Sequence, residues 1–384
     1  MKLAVYAIAK NEARHVARWY ESVKDADEIV VLDTGSTDGT QKLLSDLGVR
    51  VNSMAFSPFR FDTARNAALN NVSLDVDYCM FIDLDETMEP GTITRIKAAM
   101  EASTHTGNFD SFHLRLVFTF DEVDGKRIPN ISYPRECIHR RQSFYWRYPV
   151  HEMLAHYDGA DYYYLQLPFD VYHEPDNTKD RGSYLELLKL AVEENPESAR
   201  QVQYLGREYM YRQEWLDAIM YLRKHIDMEP HGPFRSESAT YISRCYQALD
   251  GVLEEALNEA EAWMFRAVSE FSSAREPHCE LAHLYFICGA YESAIGVLRS
   301  ALRIESVPEA AMIHEAKYYG AWPYHLLASC YHAIGNNEQA RKNIQHAMAL
   351  SPVIDGALAT DLATILGLSH VVSQPIPSNP TEKT

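Results

Sequence analysis

The stretch VLDTGSTDGT, residues 31–40, decides how the first half of this 384-residue chain is read. It closes an apolar run, Ile29-Val30-Val31-Leu32, with an aspartate and then turns polar through Thr34, Gly35, Ser36, Thr37, Asp38 and Gly39. A buried strand that ends on a carboxylate and enters a helix through glycines is expected where the chain meets a ligand. The hydroxyls and Asp38 can cap the helix that follows. Asp33 can accept a hydrogen bond from a base N–H or a ribose. Taken alone, the same residues also describe a capped strand-to-helix turn.

Outward from this loop, LAVYAIA (3–9), EIVVLD (28–33), VRVNSMAF (49–56) and YCMFIDLD (78–85) read as strands. KNEARHVARWYESVKD (10–25), TDGTQKLLSDLG (37–48) and TARNAALNNVS (63–73) read as helices. This alternation implies a Rossmann-like α/β domain, with a mostly parallel sheet covered on both faces and ligands at the carboxyl ends of its strands. The fourth strand ends with Asp83, Asp85 and Glu86. Residues two apart on an extended chain point the same way, so Asp83 and Asp85 would face one site. That is costly unless a cation lies between them or water solvates them. A hard divalent ion, Mn2+ or Mg2+, fits oxygen ligands and would in turn bind a diphosphate.

Together with TARNAAL (63–69) and VHE (150–152), these motifs resemble glycosyltransferase family 2, with the GT-A fold, over roughly residues 1–175. Within that family the resemblance is to a branch whose members in several cases carry C-terminal tetratricopeptide repeats. It implies a nucleotide-sugar donor, UDP-linked, and usually inversion at the anomeric carbon. It implies that Ala7 and Glu12 flank the nucleoside pocket, that Asp33 contacts the uracil or equivalent base, and that Arg65 and Asn66 lie near base and phosphates. Asp83 would touch ribose or metal, and Asp85 would be the stronger metal ligand. Thr34 departs from the pattern, since many relatives have a second aspartate there.

Transfer to a hydroxyl needs a general base, and a carboxylate within hydrogen-bond reach can serve. Glu152, which falls on the family's VHE motif, is the first choice, Glu86 the second and Asp62 the third; Glu152 could instead be a structural partner of Arg147. His151 reads as a pocket residue. His173 resembles the histidine that completes the metal site in many GT-A enzymes, and imidazole suits Mn2+ better than Mg2+. It equally fits an ordinary histidine at a domain junction. Lys179 and Arg181 could close over the diphosphate as a loop, or be solvated charges at a helix start.

Near residue 181 the strand signals stop and a helical repeat can be counted. Leu205, Gly206, Tyr209, Ala218 and Leu222 recur as Leu281, Ala282, Tyr285, Ala294 and Leu298, and again as Leu327, Ala328, Tyr331, Ala340 and Ile344. The small and large residues in shared register resemble tetratricopeptide helix pairs. A degenerate copy carries Ile242, Ser243, Tyr246, Ala260, Met264 and Ala267. Tyr184, Leu188, Ala191 and Pro196 read as the second helix of an earlier repeat, with Pro196 placed 34 residues before Pro230. The expected organisation is a GT-A domain over 1–180, an all-α repeat domain over 181–360, and a polar, Pro-rich tail over 372–384.

Net charge is −18, so the chain is not a basic nucleic-acid module overall. A hydrophobic fraction of 46% permits real cores. No run reaches the length of a membrane span, and MKLAVYAIAKNEA meets charge too early for a signal peptide. Six cysteines without CxxC spacing read as reduced thiols of a cytoplasmic protein. The repeats would hold a protein or peptide acceptor, a partner or a second copy of the chain. One rival acceptor is a modified base in DNA, because Arg135, His139, Arg140, Arg141 and Arg147 interleave with Phe144, Tyr145, Trp146 and Tyr148. Another rival is a scaffold whose transferase domain is inactive.

Overall fold

The computed structural model describes residues 1–103, 105, 107–159, 161–175, 184–311, 313–351 and 364–366. Lys179, Arg181 and the 372–384 tail lie outside the described residues. The chain divides into two compact units, one of residues 1–120 and 131–194, the other of residues 121–130 and 195–384.

The first unit is α/β. Its elements run β1 (Leu3–Ala9), α1 (Val16–Val23), β2 (Glu28–Asp33), α2 (Thr40–Asp46), β3 (Arg50–Ser53), α3 (Phe61–Asn70), β4 (Tyr78–Phe81), β5 (Glu86–Thr87) and α4 (Thr92–Ser103). Then come β6 (Ser111–Val123), β7 (Lys126–Arg140), β8 (Phe144–Arg147), β9 (Met153–His156), β10 (Tyr164–His173) and α5 (Tyr184–Glu194). The main sheet has the order β3-β2-β1-β4-β7-β6-β10-β5. The first four of these strands are parallel, as the strand–helix alternation requires. β7 joins β4 antiparallel, β10 runs parallel to β6, and β5 antiparallel to β10, so the sheet is mixed. β8 and β9 form a separate antiparallel pair.

β1 lies in the middle of the parallel block, and Leu3, Ala4, Val5 and Tyr6 are fully buried there. An apolar run of this kind is what a strand covered on both faces demands. Trp19 of α1, also fully buried, donates its indole N–H to the Ile82 carbonyl at 3.1 Å and so fixes the segment after β4.

One expectation fails here. YCMFIDLD is strand only as far as Phe81, and the following residues form a turn closed by the Glu86 N–H on the Asp83 carbonyl at 2.9 Å. Ile82 and Leu84 are buried without belonging to the ladder, and buried apolar residues had made the strand look longer than it is. Asp83 and Asp85 therefore do not share the face of an extended strand.

The second unit is helical: α6 (Ala199–Tyr211), α7 (Trp215–Met228), α8 (Gly232–Ala248), α9 (Ala256–Glu270), α10 (Arg275–Ile287), α11 (Tyr291–Ala301), the single turn α12 (Ala316–Tyr319), α13 (Trp322–Ala333) and α14 (Asn337–Leu350). They pack as pairs α6/α7, α8/α9, α10/α11 and α13/α14. The repeat positions are the packing positions. Leu205, Leu281 and Leu327 are buried, and Ala218, Ala294 and Ala340 have no exposure. At Gly206 a Cβ would stand 2.9 Å from Leu222 Cγ, so the small residue there sets how closely α6 and α7 approach. In the degenerate copy Ser243 holds that position and donates its hydroxyl to the Ala260 carbonyl of the paired helix at 2.8 Å.

Successive pairs are laced by side-chain bonds at about the repeat length, Gln203 to Glu237 and Arg244 to Glu280 being 34 and 36 residues apart, while Arg235 to Glu270 ties α8 to α9 within one pair. Tyr184–Glu194, expected as part of a repeat, belongs to the first unit. Glu194 there accepts from Arg60 at 2.6 Å, and Tyr184 meets His151 at 3.3 Å. Among the described residues no helix is long and apolar enough to cross a membrane. No cysteine forms a disulfide, and all but Cys288 are buried.

Candidate functional site

The carboxyl ends of β2, β1 and β4 share one edge of the sheet, because these strands are parallel and adjacent. Asp33 ends β2 opposite Ala9 of β1. It is fully buried, and its Oδ1 accepts from the Gly35 and Ser36 N–H groups at 3.0 and 2.9 Å and from Gln41 Nε2 at 2.7 Å. Its Oδ2 is buried with no hydrogen-bond partner. Gly35 takes φ +112°, a conformation a side chain would strain, and this brings its N–H onto Asp33. Thr34 donates to the Ala9 carbonyl at 3.1 Å and ties the loop to β1. Asp38 accepts from the Thr40 and Ala13 N–H groups at 3.0 and 2.9 Å. These bonds hold Asp38 below the ordinary carboxylate range although burial works against them. The Glu12 N–H donates to Thr40 Oγ1 at 2.8 Å, which puts Glu12 beside this loop. Ala7 is buried within β1, paired with Val31.

Across β1, Arg65 organises the other half of the site. Its guanidinium, only 7% exposed, donates from Nη1 and Nη2 to both oxygens of Asp83 at 2.8 Å, and from Nε to Glu152. It lies over Phe81 and Trp146, 5.2 and 5.1 Å from their ring centres. Burial disfavours its charge, but Asp83 and Glu152 more than offset that, so Arg65 is held firmly protonated. Burial likewise pushes Asp83 up, and Arg65 outweighs it, leaving Asp83 below its ordinary value. The carboxylate partner of Glu152 is therefore Arg65, rather than the nearby Arg147.

Asn66 is engaged within the protein. Its amide bridges the backbone of Trp146 in both directions, accepting from the N–H at 2.8 Å and donating to the carbonyl at 2.9 Å. It thereby fixes β8, from which the chain reaches Glu152 through Tyr148 and His151. Both of those residues have left-handed backbone, φ 77° and 48°, and non-glycine residues held in that region cluster at functional sites. Asp62 is held by Arg60 at 2.8 and 3.0 Å and caps the Thr63 N–H.

Glu86 is nearly fully buried and takes two bonds from Arg135 of β7, the second at 2.8 Å. Burial still leaves its pKa raised despite that arginine. Asp85 parts from Asp83 and faces His173, with Oδ2 3.7 Å from Nε2. His173 pairs with Glu86 across β10 and β5 and stacks on Phe118. Burial alone would lower the His173 pKa, but Asp85 and Glu86 outweigh it and raise it. Among the described residues no cluster of three His, Cys, Asp or Glu groups stands ready to hold a metal. Of the expected ligands, Asp83 is bound by Arg65 through both oxygens, and Asp85 and His173 face each other.

The structure adds residues that sequence reasoning did not single out for the site. Arg135 sits over Phe81 at 4.8 Å while binding Glu86. Tyr6 takes the Trp146 indole N–H at 2.8 Å and contacts His139 Nε2 at 2.9 Å. Arg18 reaches Glu174, whose backbone N–H donates to the Asp85 carbonyl at 2.7 Å. Charged or polar residues interrupting buried strands were the available signal. The cations read as a DNA grip have internal partners: Arg135 on Glu86, Arg140 on Asp110 at 3.2 Å, Arg141 on the Val72 carbonyl at 3.0 Å, and His139 fully buried. Phe144 and Trp146 are core residues, not stacking platforms.

Residues 5–165 match the glycosyl transferase family 2 model and residues 323–353 a tetratricopeptide repeat model. Uncharacterized glycosyltransferases of Rickettsia felis and Rickettsia conorii are each 32% identical over 88 residues. That match covers 23% of this chain and 30% of theirs, so the chain spans about a third of the length of these relatives. Among solved structures, the tetratricopeptide protein TTC0263 of Thermus thermophilus overlaps at 20% identity and TM-score 0.37, over 47% of this chain and 88% of that one. Yeast Tom70 overlaps at 14% identity and TM-score 0.39, over 50% and 37%. The chain thus carries a glycosyltransferase family 2 domain over residues 5–165, followed by a helical region with a tetratricopeptide repeat at 323–353.

Proposed function

We propose that the first unit transfers a sugar from a UDP-linked donor to an acceptor hydroxyl, with inversion, in the cytoplasm, and that the repeats hold a protein or peptide acceptor. The observation that carries this reading is Asp33: a fully buried carboxylate at a parallel strand's carboxyl end, with one oxygen anchored by three donors and the other unpartnered. A buried acceptor left unmet is costly, and a base N–H would complete it. The sheet edge around it is where α/β folds bind nucleotides.

In this reading the acceptor oxygen bonds to the anomeric carbon as the bond from that carbon to the diphosphate oxygen breaks. The acceptor proton passes to Glu152, and the diphosphate leaves with the electron pair. Arg65 positions Glu152 and, through Asp83, locks it to the segment after β4. Asp85 and His173 fit a Mn2+ ion as a carboxylate–imidazole pair, and such an ion would neutralise charge on the leaving diphosphate. Lys179 and Arg181 are proposed to close over the diphosphate, while Ala7 and Glu12 border the nucleoside.

A thermal-shift screen of nucleotide-sugars, with and without Mn2+, tests the reading, because a ligand of the native state raises stability by mass action. A UDP-sugar should raise the transition, and more so with Mn2+. The purified chain should also slowly hydrolyse that donor. A chain whose transition no nucleotide-sugar moves, and which hydrolyses none, would instead be the inactive scaffold.

A further inference from the structure

The repeat unit contains a cavity of about 120 Å3, lined from α8 and α10 together with Phe271, Ala311, Ile313, Glu315 and Tyr318. Small-molecule sites usually measure about 300–1,000 Å3, so this one suits a single side chain of a docked segment. Its walls include Phe234, Phe271, Tyr241 and Tyr318, and four carboxylates, of which Glu280 meets Arg244 at 2.9 Å, Glu315 meets Lys317 and Glu237 has Arg207 at 4.0 Å.

Hydrogen bonds separate those carboxylates. Glu237 accepts from the Tyr241 hydroxyl at 2.7 Å and from Gln203 at 3.0 Å. Glu280 accepts from Arg244 at 2.9 Å and from the Tyr318 hydroxyl. Glu315 pairs with Lys317 at 3.1 Å. Glu276 differs: Oε2 accepts from the Tyr319 hydroxyl at 3.1 Å, but Oε1 is buried and has no hydrogen-bond partner. Burial raises the pKa of Glu276, with Glu315 adding to it and Tyr319 and Arg275 working against it. The aromatic walls already accept cations, since Arg244 lies over Tyr241 at 5.7 Å and Lys317 over Tyr318 at 4.6 Å.

We infer that this groove binds a basic peptide segment, one of whose arginine side chains enters the cavity and donates to Glu276 Oε1. Arginine suits it better than lysine, because a weakly hydrated planar guanidinium can stack on tyrosine while donating sideways. The Glu276 carboxylate, whose Oε1 has no hydrogen-bond partner, gives the charge complementarity, and the apolar walls shield the pair from water. The inference rests on the proposed role of the repeats in holding a peptide, and not on the sugar chemistry.

The test uses the full chain and an array of nonapeptides with randomised flanks around a central arginine, citrulline, lysine or glutamate. Citrulline keeps the shape of arginine and loses the charge. Arginine peptides should bind, citrulline counterparts about tenfold or more weakly, as expected for a lost charged hydrogen bond. Binding should weaken with salt and be lost in Glu276→Gln, while Glu292→Gln, on α11 outside the cavity, should leave it intact. Failure of every arginine peptide to bind, equal binding of citrulline peptides, or unchanged binding by a folded Glu276→Gln chain would overturn the inference. The citrulline comparison needs no variant and stands even if Glu276→Gln does not fold. Donor hydrolysis in the same preparation separates the two readings: hydrolysis without peptide binding removes the groove alone, and peptide binding without hydrolysis removes the sugar chemistry alone.

Discussion

Replacing Glu152 by glutamine separates chemistry from architecture at the centre of the site. The carboxylate is held by Arg65 Nε, while the two terminal nitrogens of Arg65 hold Asp83 at 2.8 Å. Glutamine keeps an oxygen for Nε, so one of three bonds loses its charge and none need be lost. A hydrogen bond to a charged group contributes about 1.5–3 kcal/mol and a neutral one about 0.5–1.5, so the expected loss is about 1 kcal/mol. For a unit of this size that lowers the melting temperature by about 2–4 °C. Glutamine cannot take a proton, however, and loss of a general base lowers turnover by about 10²–10⁴. Donor affinity should scarcely change, since the base acts on the acceptor. Arg65→Met gives the opposite pattern. It strands two half-buried carboxylates, and since removing one partner of a fully buried pair costs about 3–5 kcal/mol the loss should approach the lower end of that range, so folding and turnover should fall together. Turnover, donor affinity by calorimetry and melting temperature are read on the same preparations. Wild-type turnover in a folded Glu152→Gln chain would remove Glu152 from the mechanism and leave Glu86 as the next carboxylate. Joint loss of stability and donor affinity would make Glu152 structural.

Three further outcomes are expected. Asp85→Asn should abolish the Mn2+-dependent part of nucleoside diphosphate binding, and calorimetry showing unchanged affinity in Mn2+ would end the metal assignment. Gly206→Ala should lower stability despite gaining about 1 kcal/mol of helix propensity, because its Cβ would meet Leu222 Cγ at 2.9 Å and the Leu222 backbone nitrogen at 3.1 Å, and overpacking costs about 1–3 kcal/mol; a higher melting temperature would show that α6 and α7 can move apart freely. Acid stability should reflect two opposed groups: fully buried His139 is pushed down to about 4 from 6.5, so its contribution is complete above 6.5 and is lost as pH falls towards 4, at up to about 1.4 kcal/mol per pH unit. Glu136, pushed up to about 7 from 4.5 by burial, favours folding below 4.5 and loses that contribution as pH rises towards 7; Glu136→Gln should therefore steepen the acid loss between pH 6.5 and 4.5 and His139→Gln should reverse it, whereas two unchanged melting profiles would contradict both burial arguments.

β1 and β2 were legible to the residue, because each is a short apolar run bounded by charge, and burial on both faces leaves no other reading. The repeat helices were legible for a different reason: copies in one register show which positions must be small. What the periods did not show was coverage. Tyr184–Glu194 has the spacing of a repeat helix, yet its unit is the sheet domain, because amphipathicity reports that a face is buried and not what buries it. The β4 end failed in the same way, since Ile82 and Leu84 are buried by packing that no ladder provides.

The site divides along the same line. The Asp33 loop could be read because its donors lie within eight residues of it. The Arg65 centre could not, since its partners Asp83 and Glu152 stand 18 and 87 residues away. Proximity in sequence offered Arg147 as an alternative partner of Glu152, but Arg147 lies half-buried over Tyr148. Arg65 comes from a helix packed under the sheet edge and is closed in by Phe81 and Trp146. A guanidinium so enclosed must find carboxylates wherever the fold can bring them, since an unpaired buried charge is far costlier than an exposed one. Burial, not spacing, selects the partner, and the same demand draws Arg135, which also lies over Phe81, onto Glu86.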